Sequence, residues 1–435
     1  MKTYNNPNKS DWESILARPV KDARQLEETV SLIFNEVKTL GDKAVKKYTK
    51  FFDRVEVDEL LVSEAEFLTA EKLVDDNLKS AIKIAKSNIE KFHKSQVKEV
   101  EVIETFPGVN CWRKSVPIEK VGLYIPGGTA PLFSTVLMLG IPAKIANCDE
   151  VIICTPPDKN GEVNPAILYT VKLVGIEKVY KVGGIQAISA MTYGTNWISK
   201  VYKIFGPGNQ YVTEAKKMAV REGVAVDMPA GPSEVLVVAD STADPDFIAA
   251  DLLSQAEHGA DSQVLFVSWE NNLINAVQDA VLTQVKSLDR KEVAEQALAN
   301  SKLVLVKDEL EAIELVNFYA PEHLIIAVEN EDFFTRNLKN AGSVFLGNFT
   351  PESAGDYASG TNHTLPTNGF AKAYSGVSVE SFTKQITFQR ISEEGLQELG
   401  PVITTMAEAE MLQAHSNAVK VRLQKLAPTF VKAGL

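Results

Sequence analysis

Apolar residues recur at three- and four-residue spacing through ARQLEETVSLIFNEVKTLGDKAVKKYTKFF and again through LVDDNLKSAIKIAKSNIEKFHKSQ, the period of a helix with one solvated, charged face. Both stretches predict amphipathic helices in the first third of the chain. His93 lies among lysines in the second and reads as a surface histidine. From residue 119 the pattern changes. Short β-branched runs alternate with helical ones: KVGLYI before STVLMLGIPAKIA, EVIICT before NPAILYTVKLVG, KVYKV before IQAISAMTYG, and KVYKIF before YVTEAKKMAV. That alternation predicts a parallel sheet with crossover helices. A second such region follows, with EVLVVAD, QVLFVS, KLVLVK, HLIIAV and SVFLG as strands. The pattern therefore predicts an α/β protein with two sheets and a boundary near 227–235. The closing segment, including TTMAEAEMLQAHSNAVKVRLQKLA, is too small to form a domain without packing on a neighbour.

Three strands of the first region end in glycine-bearing loops: PGGTAP at 126–131, GG at 183–184 and GPGN at 206–209. In open parallel sheets ligands sit beyond the carboxyl ends of strands, where glycine lets the backbone approach them. None of these loops is G-x-G-x-x-G, so the usual dinucleotide fingerprint is absent, and the loops alone leave nucleotide binding and ordinary tight turns both open. At 435 residues the chain is long enough for two to four domains at about 150 residues each. The net charge of −12 argues against nucleic acid as a partner. No run of about 18 apolar residues predicts a membrane span. The opening MKTYNNPNKSDW lacks the apolar core of a secretion signal. The cysteines, Cys111, Cys148 and Cys154, include no Cys-x-x-Cys pair, which fits a reducing, cytoplasmic setting and argues against a thiolate metal site.

The remaining histidines lie in the second half of the chain, each near an acid or amide. In LLSQAEHGA, Gln255 and His258 are three apart and would share a face of a helix ended by Gly259. His415 falls in a helical pattern in which Glu408, seven residues earlier, shares its face, whereas Glu410 points roughly 140° away. Asp356 and His363 lie in the polar stretch PESAGDYASGTNHTLPT, a loop directly after a strand, where function collects more often than packing does. In APEHLII, Glu322 and His323 stand at the mouth of a strand that should be buried. Two adjacent titratable groups are costly to desolvate there, which suits general acid/base chemistry. They fall at the amino end of that strand, so a site built on them must lie between domains or subunits. Histidine, aspartate and amide together suit zinc, manganese or a similar ion. Spacing does not choose among the histidines.

The segment DMPAGPSEVLVVADSTADPDFIAADLLSQAEHG (227–259) resembles the signature of the histidinol dehydrogenase family. The likeness continues through VGLYIPGGTAPLFSTVLMLG, KIFGPGNQYVTEAKK, YAPEHL, LGNFTPESAGDYASGTNHTLPT and MLQAHSNAV, about residues 115–420. It implies a zinc-dependent, NAD-linked oxidation of L-histidinol to L-histidine through the aldehyde, the last step of histidine biosynthesis. It also implies one zinc per active site, held by Gln255, His258, Asp356 and His415. Glu322 and His323 correspond to the acid/base pair, and Tyr124, Gln186 and Asn209 to cofactor contacts. Substrate contacts fall on Ser233, Gln255, His258, His323, Asp356, Glu410 and His415, with His363 a further position of that kind. The resemblance favours Glu410 where the helical wheel favoured Glu408.

The fold implied is two incomplete Rossmann-like domains with small helical N- and C-terminal segments in an intertwined homodimer. The N-terminal segment would span 1–24, the first Rossmann-like domain 25–122 plus 236–377, and the second 123–235. A C-terminal segment at 378–435 would contact the partner subunit. Three other readings accommodate parts of this pattern: NAD-linked oxidation of a related amino or sulfonated alcohol, a zinc-dependent hydrolase acting on amides, and a non-catalytic metabolite binder.

Overall fold

Parallel strands buried on both faces read as continuous apolar runs, and the computed structural model forms strands at each of those runs and at others besides. It describes residues 1–19, 23–127, 131–229 and 231–426. The expected loop at 126–131 and the expected boundary at 227–235 lie partly outside the described residues. The strands, in chain order, are β1 (Lys2–Asn5), β2 (Val102–Phe106), β3 (Val109–Pro117), β4 (Lys120–Tyr124), β5 (Glu150–Thr155), β6 (Lys178–Lys181) and β7 (Lys203–Phe205). They continue with β8 (Ala225–Val226), β9 (Glu234–Ala239), β10 (Gln263–Ser268), β11 (Lys302–Leu305), β12 (His323–Ala327), β13 (Ser343–Leu346) and β14 (Thr383–Ile391).

By contacts the chain divides into two units. The larger comprises Met1–Gln96 and Pro117–Phe382, and the smaller comprises Val97–Val116 with the described residues from Thr383 onward. The larger unit holds two parallel sheets. One has the order β6-β5-β4-β7-β8, and the other β1-β11-β10-β9-β12-β13. Each doubles back from a central strand, leaving a switch point between β4 and β7 in the first and between β9 and β12 in the second. The helices before β4 pack on the five-stranded sheet. Val30, Phe34 and Val37 join Ile152 and Tyr180 in one core, and Ile82, Ala85 and Ile89 join Leu123 and Ile153 in another. These contacts place residues 30–89 in cores shared with the five-stranded sheet. The N-terminal residues join the six-stranded sheet instead, with β1 paired in parallel to β11 and Trp12 and Leu16 in its core.

Local departures from the sequence pattern have identifiable causes. The first amphipathic stretch is two helices, Ala23–Leu40 and Asp42–Asp53, broken at Gly41 with φ of 55°, a conformation that glycine adopts without a Cβ penalty. His93 is fully buried rather than on the surface. Its Nδ1 lies 2.9 Å from the Ile89 carbonyl and its Nε2 3.3 Å from the Asn362 amide, so it ties the helix Asp76–Lys94 to the chain just before His363.

The smaller unit is a three-stranded sheet, β14-β3-β2, with helices Glu393–Ala409 and Gln413–Leu426. The Trp112 and Phe388 rings stack across it at 5.5 Å. Ser392 caps the first helix by accepting from the Gly395 N–H at 3.0 Å. Among the described residues no helix is long and apolar enough to cross a membrane.

Candidate active site

Strand pairing brings the candidate residues of the larger unit together. β12 lies parallel to β9 with His323 opposite Val235, which sets the preceding Glu322 beside Glu234. The Glu234 N–H donates to Glu322 Oε2 at 2.8 Å, and the Glu234 carbonyl lies 3.2 Å from His323 Nδ1. The backbone of one residue thus holds both members of the pair. Both side chains are buried.

The loop at 351–367 opens as a short helix, Glu352–Tyr357, and not wholly as the loop expected. The helix turns Glu352 and Asp356, four residues apart, to the same face and toward His323. His323 Nδ1 lies 3.5 Å from Glu352 Oε1, and His323 Nε2 lies 3.4 Å from Asp356 Oδ1. Sequence reasoning missed Glu352, which is only 1 % exposed. Its i, i+4 spacing to Asp356 was the available signal.

Gln255 is buried against this group. Its amide is satisfied when the oxygen accepts from the Glu234 N–H at 2.9 Å and the nitrogen donates to Glu352. The helix carrying Gln255 ends at Ala256, so His258 follows in a turn instead of sharing a continuous helical face with it. His258 is exposed and lines the adjacent cavity. His363 lies 2.9 Å from the Asp356 carbonyl through Nδ1 and 3.2 Å from Thr135 Oγ1 through Nε2.

Burial raises the Glu322 carboxyl to about 8. Burial alone would lower His323, but the carboxylates of Glu352, Glu322 and Asp356 outweigh it and raise the imidazole to about 10. Burial likewise acts to raise Asp356, and the neighbouring His323 overrides it, holding that carboxyl below its ordinary range. His363 is lowered by desolvation, and His258, open to solvent on one side, is lowered the same way by the cavity walls around it, which favours the neutral imidazole that ligates a metal.

Among the described residues, the His, Cys, Asp and Glu groups whose ligand atoms lie within 4.8 Å of one another are His323, Glu352 and Asp356. His323 Nε2 and Asp356 Oδ1 are buried with no hydrogen-bond partner beyond their own 3.4 Å contact. A buried carboxylate oxygen so sparsely satisfied, with His258 close enough to feel its charge, is what a divalent cation would satisfy, so the donor set fits such a group.

Beside the cluster, reached through Glu322, is a cavity of about 490 Å³ whose lining includes Ser233, His258, Glu322, His363, Tyr124 and Asn209. A larger cavity, about 1230 Å³, shares Tyr124, Gly127 and Asn209 with it. The Tyr124 hydroxyl accepts from the Gly184 N–H at 3.1 Å. Gln186, fully buried, has both amide atoms unpartnered. Asn209 caps the helix Gln210–Arg221 through Oδ1, accepting from Tyr211 and Val212 N–H at 3.0 and 3.1 Å. A buried ion pair, Lys216 to Asp227, holds the loop between them. Lys216 donates to the Gly206 carbonyl at 3.0 Å, and Asp227 accepts from the Gly206 N–H at 2.8 Å.

Glu410 and His415 belong to the smaller unit, and both are exposed. The helix does not run through them. Met411 adopts φ of 61° between the two helices, so the helical wheel relating Glu408 and Glu410 to His415 does not apply. Glu408 instead accepts from Ser416 Oγ at 2.9 Å.

Comparison with known proteins was informative over nearly the whole chain. Residues 16–423 match the family profile described as histidinol dehydrogenase. A histidinol dehydrogenase of Bacteroides thetaiotaomicron is 58% identical over 426 residues, covering 98% of this chain and 100% of that protein. One from Vibrio cholerae is 50% identical over 422 residues, 96% of this chain and 97% of that protein. The crystal structure of histidinol dehydrogenase from Elizabethkingia anophelis superimposes with a TM-score of 0.96 at 56% identity, covering 98% of this chain and 99% of that one.

Proposed function

The chain belongs to the histidinol dehydrogenase family, NAD-dependent oxidoreductases of the last step of histidine biosynthesis, and on that premise we propose how its residues divide the work. The substrate is L-histidinol, oxidised to L-histidine through the aldehyde. The observation that carries the reading is the buried Glu322–His323 pair, with Glu322 at the wall of a cavity that also reaches the glycine loops.

An alcohol must lose its hydroxyl proton as its C–H bond gives up a hydride, so a base must stand within hydrogen-bond reach of that oxygen. His323 is that base. When its Nδ1–H donates to the Glu234 carbonyl, the lone pair is left on Nε2, the nitrogen beside Asp356, to accept the proton. The aldehyde has no hydroxyl proton to lose, so water must add to it first. Glu322 takes a proton from that water as it attacks the carbonyl carbon, and its raised pKa makes it a stronger base than an exposed carboxylate. The His323 imidazolium left by the first oxidation gives its proton to the carbonyl oxygen as the hydrate forms, and the neutral imidazole then accepts the hydrate's hydroxyl proton during the second hydride loss.

NAD supplies the hydride acceptor, and the residues proposed to hold it are Tyr124, Gln186 and Asn209. For zinc, the proposed ligands are Gln255, His258 and Asp356 with His415 of the smaller unit, and Ser233 and Glu410 complete the substrate contacts. Zinc held there would supply charge that anchors the substrate's imidazole and amine nitrogens and offsets the carboxylates that otherwise keep His323 protonated. A homodimer in the cytoplasm, with the C-terminal segment reaching the partner's site, is part of the same reading.

The test is product stoichiometry. Purified protein given L-histidinol and excess NAD should form two NADH and one histidine for each histidinol consumed. Failure to oxidise histidinol, or release of one NADH with the aldehyde as final product, would overturn the assignment.

A further inference from the structure

We propose that Arg18 is a positioning residue, which sets the Glu322–His323 pair by gripping both chain segments that hold it. This rests on the acid/base reading of that pair. Arg18 comes from the N-terminal segment, far in sequence from the other residues of the site. Its Nε donates to Glu234 Oε1 at 2.5 Å and its Nη2 to Glu234 Oε2 at 2.9 Å, a two-pronged contact that fixes the carboxylate in plane as well as in place. The same Nη2 donates to the Tyr319 carbonyl at 2.9 Å, and the guanidinium stacks 3.8 Å from the Tyr319 ring centroid.

These two partners flank the pair. Glu234 opens β9, and its N–H and carbonyl are the groups facing Glu322 and His323. Tyr319 ends the helix Glu309–Tyr319. The chain then turns through Ala320, at φ of 55°, and Pro321 directly into Glu322. A non-glycine residue in the left-handed region is held there by its surroundings, and Arg18 binds the carbonyl immediately before it. The clamp is itself braced. Tyr319 Oη donates to Gln263 Oε1 at 2.8 Å, and Gln263 Nε2 donates to the Ala17 carbonyl at 3.0 Å. Glu234 Oε1 also accepts from the Asn368 N–H at 2.8 Å. Side-chain exposure is 16% for Arg18 and 2% for Glu234, so water cannot readily replace the contact. An ion pair serving stability alone would have no need to end on the one residue whose backbone faces both the candidate base and the candidate water-activating acid.

The experiment compares Arg18→Ala and Arg18→Lys with the parent. A displacement of the base by an ångström or so costs about 100-fold in rate. Arg18→Ala should lose kcat on that order, while KM for histidinol stays within about threefold. Because hydride transfer becomes the slow step, the isotope effect on kcat with carbinol-deuterated histidinol should rise above the parent's. Millimolar guanidinium should restore part of the lost kcat in Arg18→Ala, and sodium chloride at equal ionic strength should not. Arg18→Lys should recover little, since an ammonium has no fork.

A merely structural role predicts loss in proportion to the unfolded fraction, an unchanged isotope effect and no response to guanidinium. That result, or a kcat within about threefold of the parent, overturns the proposal. If Arg18→Ala does not fold, Arg18→Lys decides by its kcat, KM and isotope effect. A His323→Asn variant is measured alongside. If it keeps the parent's hydride-transfer rates, the acid/base reading itself fails, whatever Arg18 does.

Discussion

Replacing Glu322 by Gln separates the two oxidations. Glutamine keeps the shape of the side chain and an oxygen that accepts from the Glu234 N–H, now 2.8 Å from Glu322 Oε2. The buried donor therefore keeps this partner as well as the Gln255 oxygen, and the cavity that Ala would leave is avoided. What is lost is the ability to take a proton. A positioned general base contributes about 10²–10⁴ in rate, or roughly 3–5 kcal/mol of barrier. That loss should fall on the step in which water adds to the aldehyde. The first oxidation uses His323, whose contacts with the Glu234 carbonyl and Asp356 remain, and it should change by less than about tenfold. The assay is single-turnover NADH formation, started once from histidinol and once from histidinaldehyde. The telling quantity is the ratio of the two rates. A variant that oxidises histidinaldehyde as fast as the parent refutes the role of Glu322. So does an equal slowing from both substrates, which would make Glu322 a support for His323 and nothing more.

Three further outcomes test other parts of the molecule. Dialysis against a chelator should abolish histidinol oxidation and zinc re-addition should restore it, whereas undiminished turnover by protein shown by elemental analysis to be metal-free would exclude a metal role. Gly206→Ala would drive a Cβ into the Tyr124 carbonyl oxygen at φ of 131°. It should cost about 1–3 kcal/mol in strain and raise KM for NAD more than KM for histidinol, and equal changes in the two would detach the loop from the cofactor. Burial raises Asp53 in the larger cavity to about 6. A raised acid contributes stability below its unfolded pKa and loses it as pH climbs through about 6. Asp53→Asn should therefore gain on the parent at pH 8 relative to pH 5, by roughly 1 kcal/mol after discounting for solvent screening of a half-buried group. Urea melts showing the same difference at both pH values would contradict this.

Most strands that the hydrophobic pattern made visible, among them β4, β9, β10 and β12, are buried along nearly their whole length, where both faces must be apolar. Those it concealed are of another kind. β1, KTYN, pairs along only one edge and is largely exposed, and β14, TKQITFQRI, is exposed over most of its length. Burial leaves no mark on such sequences. The misjudged histidine has a similar origin. His93 stands between lysines in the sequence, yet the helix turns it inward to Asn362, some 270 residues away, and local composition carries no trace of that partner.

For the site, Glu322 and His323 were legible because two polar groups before an apolar strand contradict the pattern around them. Glu352 was not. Behind Pro351 it looks like turn filler, and only the short helix and the register of β12 against β9 reveal that it is buried. Arg18 and Glu234 lie 216 positions apart, and each has an ordinary local reading, a charged residue after a helix and a polar residue opening a strand. The position of the pair at the amino end of β12 also has a physical account. The cavity it faces is lined by Gly206, Pro207 and Gly208, at the carboxyl end of β7, and by Ser233 and Glu322, at the amino ends of β9 and β12. One sheet therefore presents the end where glycine loops and the Asn209-capped helix N-terminus suit a phosphate-bearing ligand. The other presents the end where strand N–H groups are still free to bind carboxylates, as Glu234 does for Glu322. Proton chemistry gains from that choice, since the carboxylate is fixed by backbone rather than by a mobile side chain, and the base beside it inherits the same rigidity.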